Sequence, residues 1–213
     1  MKLLLTAFDP FGGEAVNPAL EAVKMVRPVV SAIEVVKLEV PTVFGKAIEK
    51  VREAIEEIQP DVVLCIGQAG GRFDISVERV AINIDDARIA DNEGNQPIDR
   101  TIVVDGPPAY FATIPIKAIV DTIRKIGLPS SVSNTAGTFV CNHLMYGVLH
   151  TLALQDKPMR GGFIHVPFIP AQVVARPNAP CMSLSDIVRA LEAAITAIGS
   201  FTDDVKLAGG KEF

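Results

Sequence analysis

Short, nearly uninterrupted apolar runs at residues 3–8, 61–66 and 162–166, with segments of helical periodicity between them, constrain this chain more than any other feature. A strand that is apolar throughout must be covered on both faces, and helices delivered between parallel strands are what supplies the cover. Residues 33–40 read as a further strand. Behind Thr42, the residues Val43, Ala47, Val51, Ala54, Ile55 and Ile58 recur at helical spacing, which predicts a helix capped by that threonine. Asn17-Pro18 opens a shorter helix ending near Met25 or Val26, and helices at 115–126 and 139–154 flank a short strand at 130–133. Ser183 and Asp186 form a capping box before Ile187, Val188, Leu191, Ala194, Ile195 and Ile198. The expected fold is a single-domain α/β/α sandwich over residues 1–213, with a mostly parallel twisted sheet and helices on both faces.

The centre is less regular. Residues 75–84 alternate as one strand, and 85–108 read as an extended excursion holding a short strand at 101–104. Four prolines between 167 and 180 predict loop throughout, and the polar, glycine-rich tail from about residue 200 is expected to fray.

A formal charge of −5, with no Lys/Arg cluster interleaved with aromatics, excludes a nucleic-acid partner, and no apolar run approaches a membrane span. Cys65, Cys141 and Cys181 are widely spaced and odd in number, which fits neither a disulfide framework nor a thiolate metal site; a reducing cytoplasm is the expectation. No histidine pair has zinc spacing, so no metal is expected. Glycine clusters at 12–13 and 67–71 follow strands, but neither carries a phosphate-loop lysine. The second leads into Phe73-Asp74 and a strand, so close backbone approach to a small ligand is the better reading, and no cofactor is expected.

Cys141 stands where the polar stretch 133–138 gives way to the apolar run 139–154. A cysteine in the first turn of a helix lies beside unpaired N–H groups, which predicts a stabilised thiolate and a nucleophile. His143, two residues on, points about 200° away around the helix, and His150 lies roughly 13 Å along it. His165 remains as a base, at the carboxyl end of the following strand. Glu78, of the same parity as Val80, Ile82 and Ile84, faces an apolar side and needs a partner, either a histidine or an arginine such as Arg79 or Arg88. Isolated cysteines are more often buried and inert, as is expected for Cys65 in mid-strand, so the residue pattern leaves both readings of Cys141 standing.

Set side by side, residues 8–14 with Asn17-Pro18, the stretch 67–83 and the stretch 133–142 make the chain resemble the pyroglutamyl peptidase I family of cysteine peptidases. The resemblance implies a Cys-His-Glu triad on Cys141, His165 and Glu78. It implies a ring pocket of Phe8, Phe11 and Phe139 with Asn17 and Gln68 beside it, and Arg88 close to the reacting centre. It further implies a cytoplasmic enzyme, commonly a homotetramer, that removes an N-terminal pyroglutamyl residue from peptides through a thioester acyl-enzyme. Another cysteine amidase, or a non-catalytic ligand-binding α/β domain, are the alternatives.

Overall fold

Parallel strands at the centre of the sheet come directly from the apolar runs. The computed structural model describes residues 1–210. In chain order its elements are β1 (Lys2–Phe8), α1 (Pro18–Met25), β2 (Val29–Val30), β3 (Ile33–Val40), α2 (Lys46–Ile58), β4 (Val62–Gln68), β5 (Ile75–Glu78), β6 (Val80–Ile82), β7 (Ala109–Phe111), α3 (Ile116–Lys125), β8 (Ser130–Ser133), α4 (Val140–Ala153), β9 (Arg160–Val166), α5 (Pro170–Val173) and α6 (Leu184–Ser200). A seven-stranded sheet runs β2-β3-β1-β4-β9-β5-β8, and β6 and β7 form a separate pair. β3, β1, β4 and β9 are mutually parallel; β5 is antiparallel to β9 and parallel to β8. The sheet is therefore mixed and largely parallel.

Helices cover both faces. Leu3, Leu5, Leu64 and Ile66 point to the side where α1, α3 and α6 bury Leu20, Ile119 and Leu191. Leu4, Val63, Cys65 and Phe163 point to the other, against Val51 of α2 and Leu144 and Val148 of α4. This alternation explains why the central strands are apolar at every position.

Several sequence expectations are corrected. Residues 75–84 are not one strand: the chain leaves the main sheet after Glu78 and continues as β6 in the small sheet. The parity that linked Glu78 to Ile82 is broken at that point, and Ile82 is exposed while Glu78 is buried. No strand forms at 101–104; β6 pairs instead with β7, Val80 opposite Phe111. Thr42 does not cap α2. Its hydroxyl and its N–H both donate to Asp9 Oδ1 at 2.7 Å, and the helix begins after Gly45, at φ +77°. The proline-rich segment holds the short helix α5, with Pro170 at its start, where the missing N–H costs nothing.

The end of the described chain is also tied down. Residues 201–210 lack regular secondary structure, but Asp204 accepts from the N–H groups of Lys117 and Ala118 at the start of α3, and Arg79 donates to the Gly209 carbonyl. Capping a helix N-terminus with a carboxylate gives this segment an anchor that its polar composition hides. The rest of the tail, 211–213, lies outside the described residues.

Candidate active site

The antiparallel register of β5 and β9 sets Ser76 opposite His165 and Glu78 opposite Phe163, which makes Glu78 the diagonal neighbour of His165 on one sheet face. His165 Nδ1 and Glu78 Oε1 are 2.7 Å apart. Both side chains are buried, and Arg72 donates to the same carboxylate oxygen at 2.6 Å and to the Thr135 carbonyl at 3.2 Å. Arg72, not Arg79 or Arg88, is thus the arginine partner of Glu78; its place in the glycine-rich loop was the available signal. Glu78 Oε2 is buried without a hydrogen-bond partner among the described residues. Burial pushes the Glu78 carboxyl up, but the hydrogen bond and charge of His165, aided by Arg72, outweigh it and hold the group below its ordinary value.

Cys141 is the second residue of α4, and His143 N–H donates the first bond back to Phe139 at 3.1 Å, so the N–H groups of Val140, Cys141 and Asn142 have no acceptor within the helix. The helix comes close to the sheet because position 67 has no side chain: a Cβ there would sit 2.8 Å from the Phe163 ring and 3.0 Å from Cys141 Sγ. The helix start favours a thiolate at Cys141, and the surroundings of the sulfur oppose it. Burial first, and the Glu78 carboxylate second, push the Cys141 thiol up to about 12, against the opposing pull of Arg72. Burial pushes Cys65 up to about 12 against the opposing pull of Thr6, as its mid-strand position predicts. Cys181 is exposed.

Cys141 and His165 line one cleft together with Phe11, Gln68, Arg88 and Phe139. Phe11 and Phe139 are 6.2 Å apart between ring centroids, forming an aromatic corner in the cleft that Cys141 lines. The structure does not bring Phe8 and Asn17 to this cleft. Phe8 is buried in the core, 6.4 Å from Phe163, and Asn17 is spent on capping α1, accepting from Ala19 N–H at 3.0 Å and donating to the Asp9 carbonyl at 3.1 Å. The cleft also has walls that sequence reasoning missed, Ile89 and Phe168. Phe168 lies against Gly70, where a Cβ would come within 2.2 Å of its ring. Its signal was an aromatic directly after His165-Val166-Pro167.

His143 and His150, set aside on helical geometry, are engaged elsewhere. His143 Nδ1 meets Asp85 at 2.9 Å while its Nε2 accepts from Gly45 N–H at 2.8 Å, and His150 Nδ1 lies 2.9 Å from the Tyr110 hydroxyl. Among the described residues no group of three or more His, Cys, Asp or Glu side chains is placed to hold a metal.

The arrangement as a whole recurs in known proteins. A pyrrolidone-carboxylate peptidase of Clostridium perfringens is 61% identical over 210 residues, covering 99% of each chain. The crystal structure of pyroglutamyl peptidase I from Bacillus amyloliquefaciens superimposes with a TM-score of 0.91 at 51% identity, covering 96% of this chain and 99% of that one. The pyrrolidone carboxyl peptidase of Thermococcus litoralis superimposes at 0.93 with 38% identity, over 97% and 99%. The sequence profile described as pyroglutamyl peptidase matches residues 1–200, and the chain belongs to that family.

Proposed function

We propose that this protein is a cysteine exopeptidase that hydrolyses the amide bond after an N-terminal pyroglutamyl residue. The observation that carries the reading is a buried His165–Glu78 pair opening on the same cleft as Cys141, beside an aromatic corner. In the first step His165 Nε2 takes the thiol proton as Sγ attacks the pyroglutamyl carbonyl carbon. Positive charge then develops on the imidazole, and Glu78 stabilises it through Nδ1. The oxyanion faces the free N–H groups at the start of α4, with Arg88 on the same cleft as support. His165 gives its proton to the leaving amine, which departs as the thioester forms. Water, deprotonated by the same nitrogen, then attacks the thioester and releases pyroglutamate and the thiol.

Phe11 and Phe139 suit a flat, uncharged ring, with Gln68 supplying a polar contact. A charged amino-terminus would have to lose its hydration to enter, which supports exclusion of ordinary peptides. A homo-oligomer, and within it the tetramer that the resemblance implies, is supported by large apolar side chains left in solvent, among them Val104, Phe111 and Val174. A cytoplasmic location is supported by three free cysteines. No helix among the described residues is long and apolar enough to cross a membrane.

The test is a comparison of matched pyroglutamyl and prolyl amides with a simple amide lacking the lactam ring. Selective hydrolysis of the first, with acylation of Cys141 seen by mass spectrometry, is expected. Comparable kcat/KM on all would make the protein a broader cysteine amidase. No hydrolysis of any, with Cys141 inert to alkylation in the folded protein, would leave a binding domain.

A further inference from the structure

Gln172 has no part in the steps above, yet its side chain reaches the cleft wall from α5. Its Oε1 accepts the Ile169 backbone N–H at 3.1 Å. A backbone N–H only donates, so this contact fixes which end of the amide is oxygen. Nε2 accordingly faces the other way, 3.0 Å from Gln68 Oε1, 3.2 Å from Glu14 Oε2 and 3.4 Å from the Val16 carbonyl. The carboxylate and the carbonyl only accept, which fixes the same orientation independently. An NH2 group in that position pairs with the oxygen of the Gln68 amide and not with its nitrogen. Gln68 lines the cleft, and no described residue accepts a hydrogen bond from its Nε2. Glu14, the second acceptor, is itself held by Arg176, whose guanidinium lies 4.9 Å from the centre of the Phe168 ring on the cleft wall.

We propose that Gln172 is a positioning residue for recognition: by engaging Gln68 Oε1 it presents Gln68 Nε2 as a donor to the carbonyl oxygen of the substrate's N-terminal lactam ring. The inference rests on the pyroglutamyl reading of the cleft. An amide left to itself turns over with little preference and offers oxygen as readily as nitrogen. Oxygen would repel the lactam carbonyl and welcome the charged amine of a proline terminus. A relay that starts at a backbone N–H removes that choice, and a site committed to one polarity discriminates against an analogue lacking the matching group.

A double-mutant cycle tests the relay. Gln172→Ala is expected to lower kcat/KM for a pyroglutamyl amide about tenfold, through KM with kcat nearly unchanged, because the ring is bound alike in ground and transition states. In a Gln68→Ala background the same substitution should change kcat/KM by less than about twofold. Equal losses in the two backgrounds would overturn the proposal and make Gln172 an anchor for its loop. Gln172→Glu adds a separate reading, since it keeps the acceptor for Ile169 N–H while replacing the donor with an oxygen that turns Gln68 the wrong way. Assayed at pH 8, it should be at least as impaired as Gln172→Ala; recovery to wild-type kcat/KM would overturn the proposal. No hydrolysis by the wild-type enzyme would sink both the functional reading and the proposal, whereas hydrolysis with uncoupled losses sinks the proposal alone.

Discussion

Two histidine–carboxylate pairs are buried on either side of the start of α4, built alike and left to do different things. On the sheet side, His165 Nδ1 meets Glu78 at 2.7 Å; on the far side, His143 Nδ1 meets Asp85 at 2.9 Å. Each carboxylate also takes an arginine, Arg72 at 2.6 Å and Arg100 at 3.1 Å. The difference lies at the second ring nitrogen. His143 Nε2 is occupied by Gly45 N–H, whereas His165 Nε2 has no protein partner among the described residues and its ring opens on the cleft. An imidazole whose two nitrogens are both engaged ties elements together; one with a nitrogen left over can move a proton. The lesson is that the pairing itself does not mark a catalytic histidine.

The largest effects should separate the two sides. Cys141→Ala is expected to remove hydrolysis to below about 10⁻⁴ of wild type with the fold intact, since no other group can form the acyl-enzyme. Activity near wild type in that variant would discard the mechanism. His165→Ala should cost about 10³-fold or more in kcat/KM of the folded enzyme and, because it takes a partner from the buried Glu78, about 3 kcal/mol of stability as well. His143→Ala should share the second effect without the first: it leaves Asp85 with Arg100 alone and the Gly45 N–H without its acceptor, so a loss of about 3 kcal/mol and a fall in Tm of about 6–12 °C are expected, with kcat/KM of the folded enzyme changed less than about tenfold. If the two variants lost activity alike, the distinction between a proton carrier and a structural tie would fail.

How far the sequence revealed this depends on how local each signal is. Cys141 and His165 were legible because each sits at the end of an element that its own neighbours define. His143 and His150 were excluded by helix geometry alone, and the structure places both on other partners. Glu78 was named through a strand parity that does not exist beyond Arg79; what positions it is an antiparallel register with a strand more than eighty residues away, and nothing local encodes that register. Phe168 and Gln172 were missed for the same reason, since each meets the segment 67–71 about a hundred residues away, whereas Arg72, six residues from Glu78, lay within local reach. Phe8 and Asn17 were drawn into the ring pocket by resemblance, although one is core and the other a helix cap. The helix-start argument for Cys141 omitted burial and the Glu78 carboxylate, both of which push the thiol the other way.

The Glu78 side of the comparison can be sharpened by pH. Glu78→Gln should lower kcat/KM about 10²–10³-fold while retaining most of the stability at neutral pH, since it keeps volume but loses the charge opposite the developing imidazolium. The folded carboxyl lies below its ordinary value, so the unfolded chain binds more protons as the medium is acidified. Its stabilising contribution is complete above the unfolded value, about 4.3, and is lost as pH falls through the folded value. Wild type should therefore lose stability between pH 5 and 3 more steeply than Glu78→Gln in chemical unfolding. Parallel slopes would assign the acid transition to other carboxylates and leave Glu78 electrostatically idle.

The smallest expected effects on activity lie along the aromatic row through Phe139, which joins the two sides. Its ring lies 6.2 Å from Phe11 on the cleft and 5.4 Å from Phe44, which in turn stands edge-on to His143 at 5.2 Å. Phe44 is buried, and Phe44→Ala should cost about 3–5 kcal/mol with substrate preference unchanged. Phe11 is partly exposed at the cleft, so its removal opens a wall without leaving a closed cavity. Phe11→Ala should lower kcat/KM for a pyroglutamyl amide about tenfold and narrow its advantage over the matched prolyl amide, with Tm little changed. The decisive measurement is the ratio of kcat/KM for the two amides, in wild type and both variants, alongside thermal unfolding. A large loss of stability in Phe11→Ala with an unaltered ratio would place Phe11 with Phe44 as packing and leave ring recognition to Phe139 and Phe168.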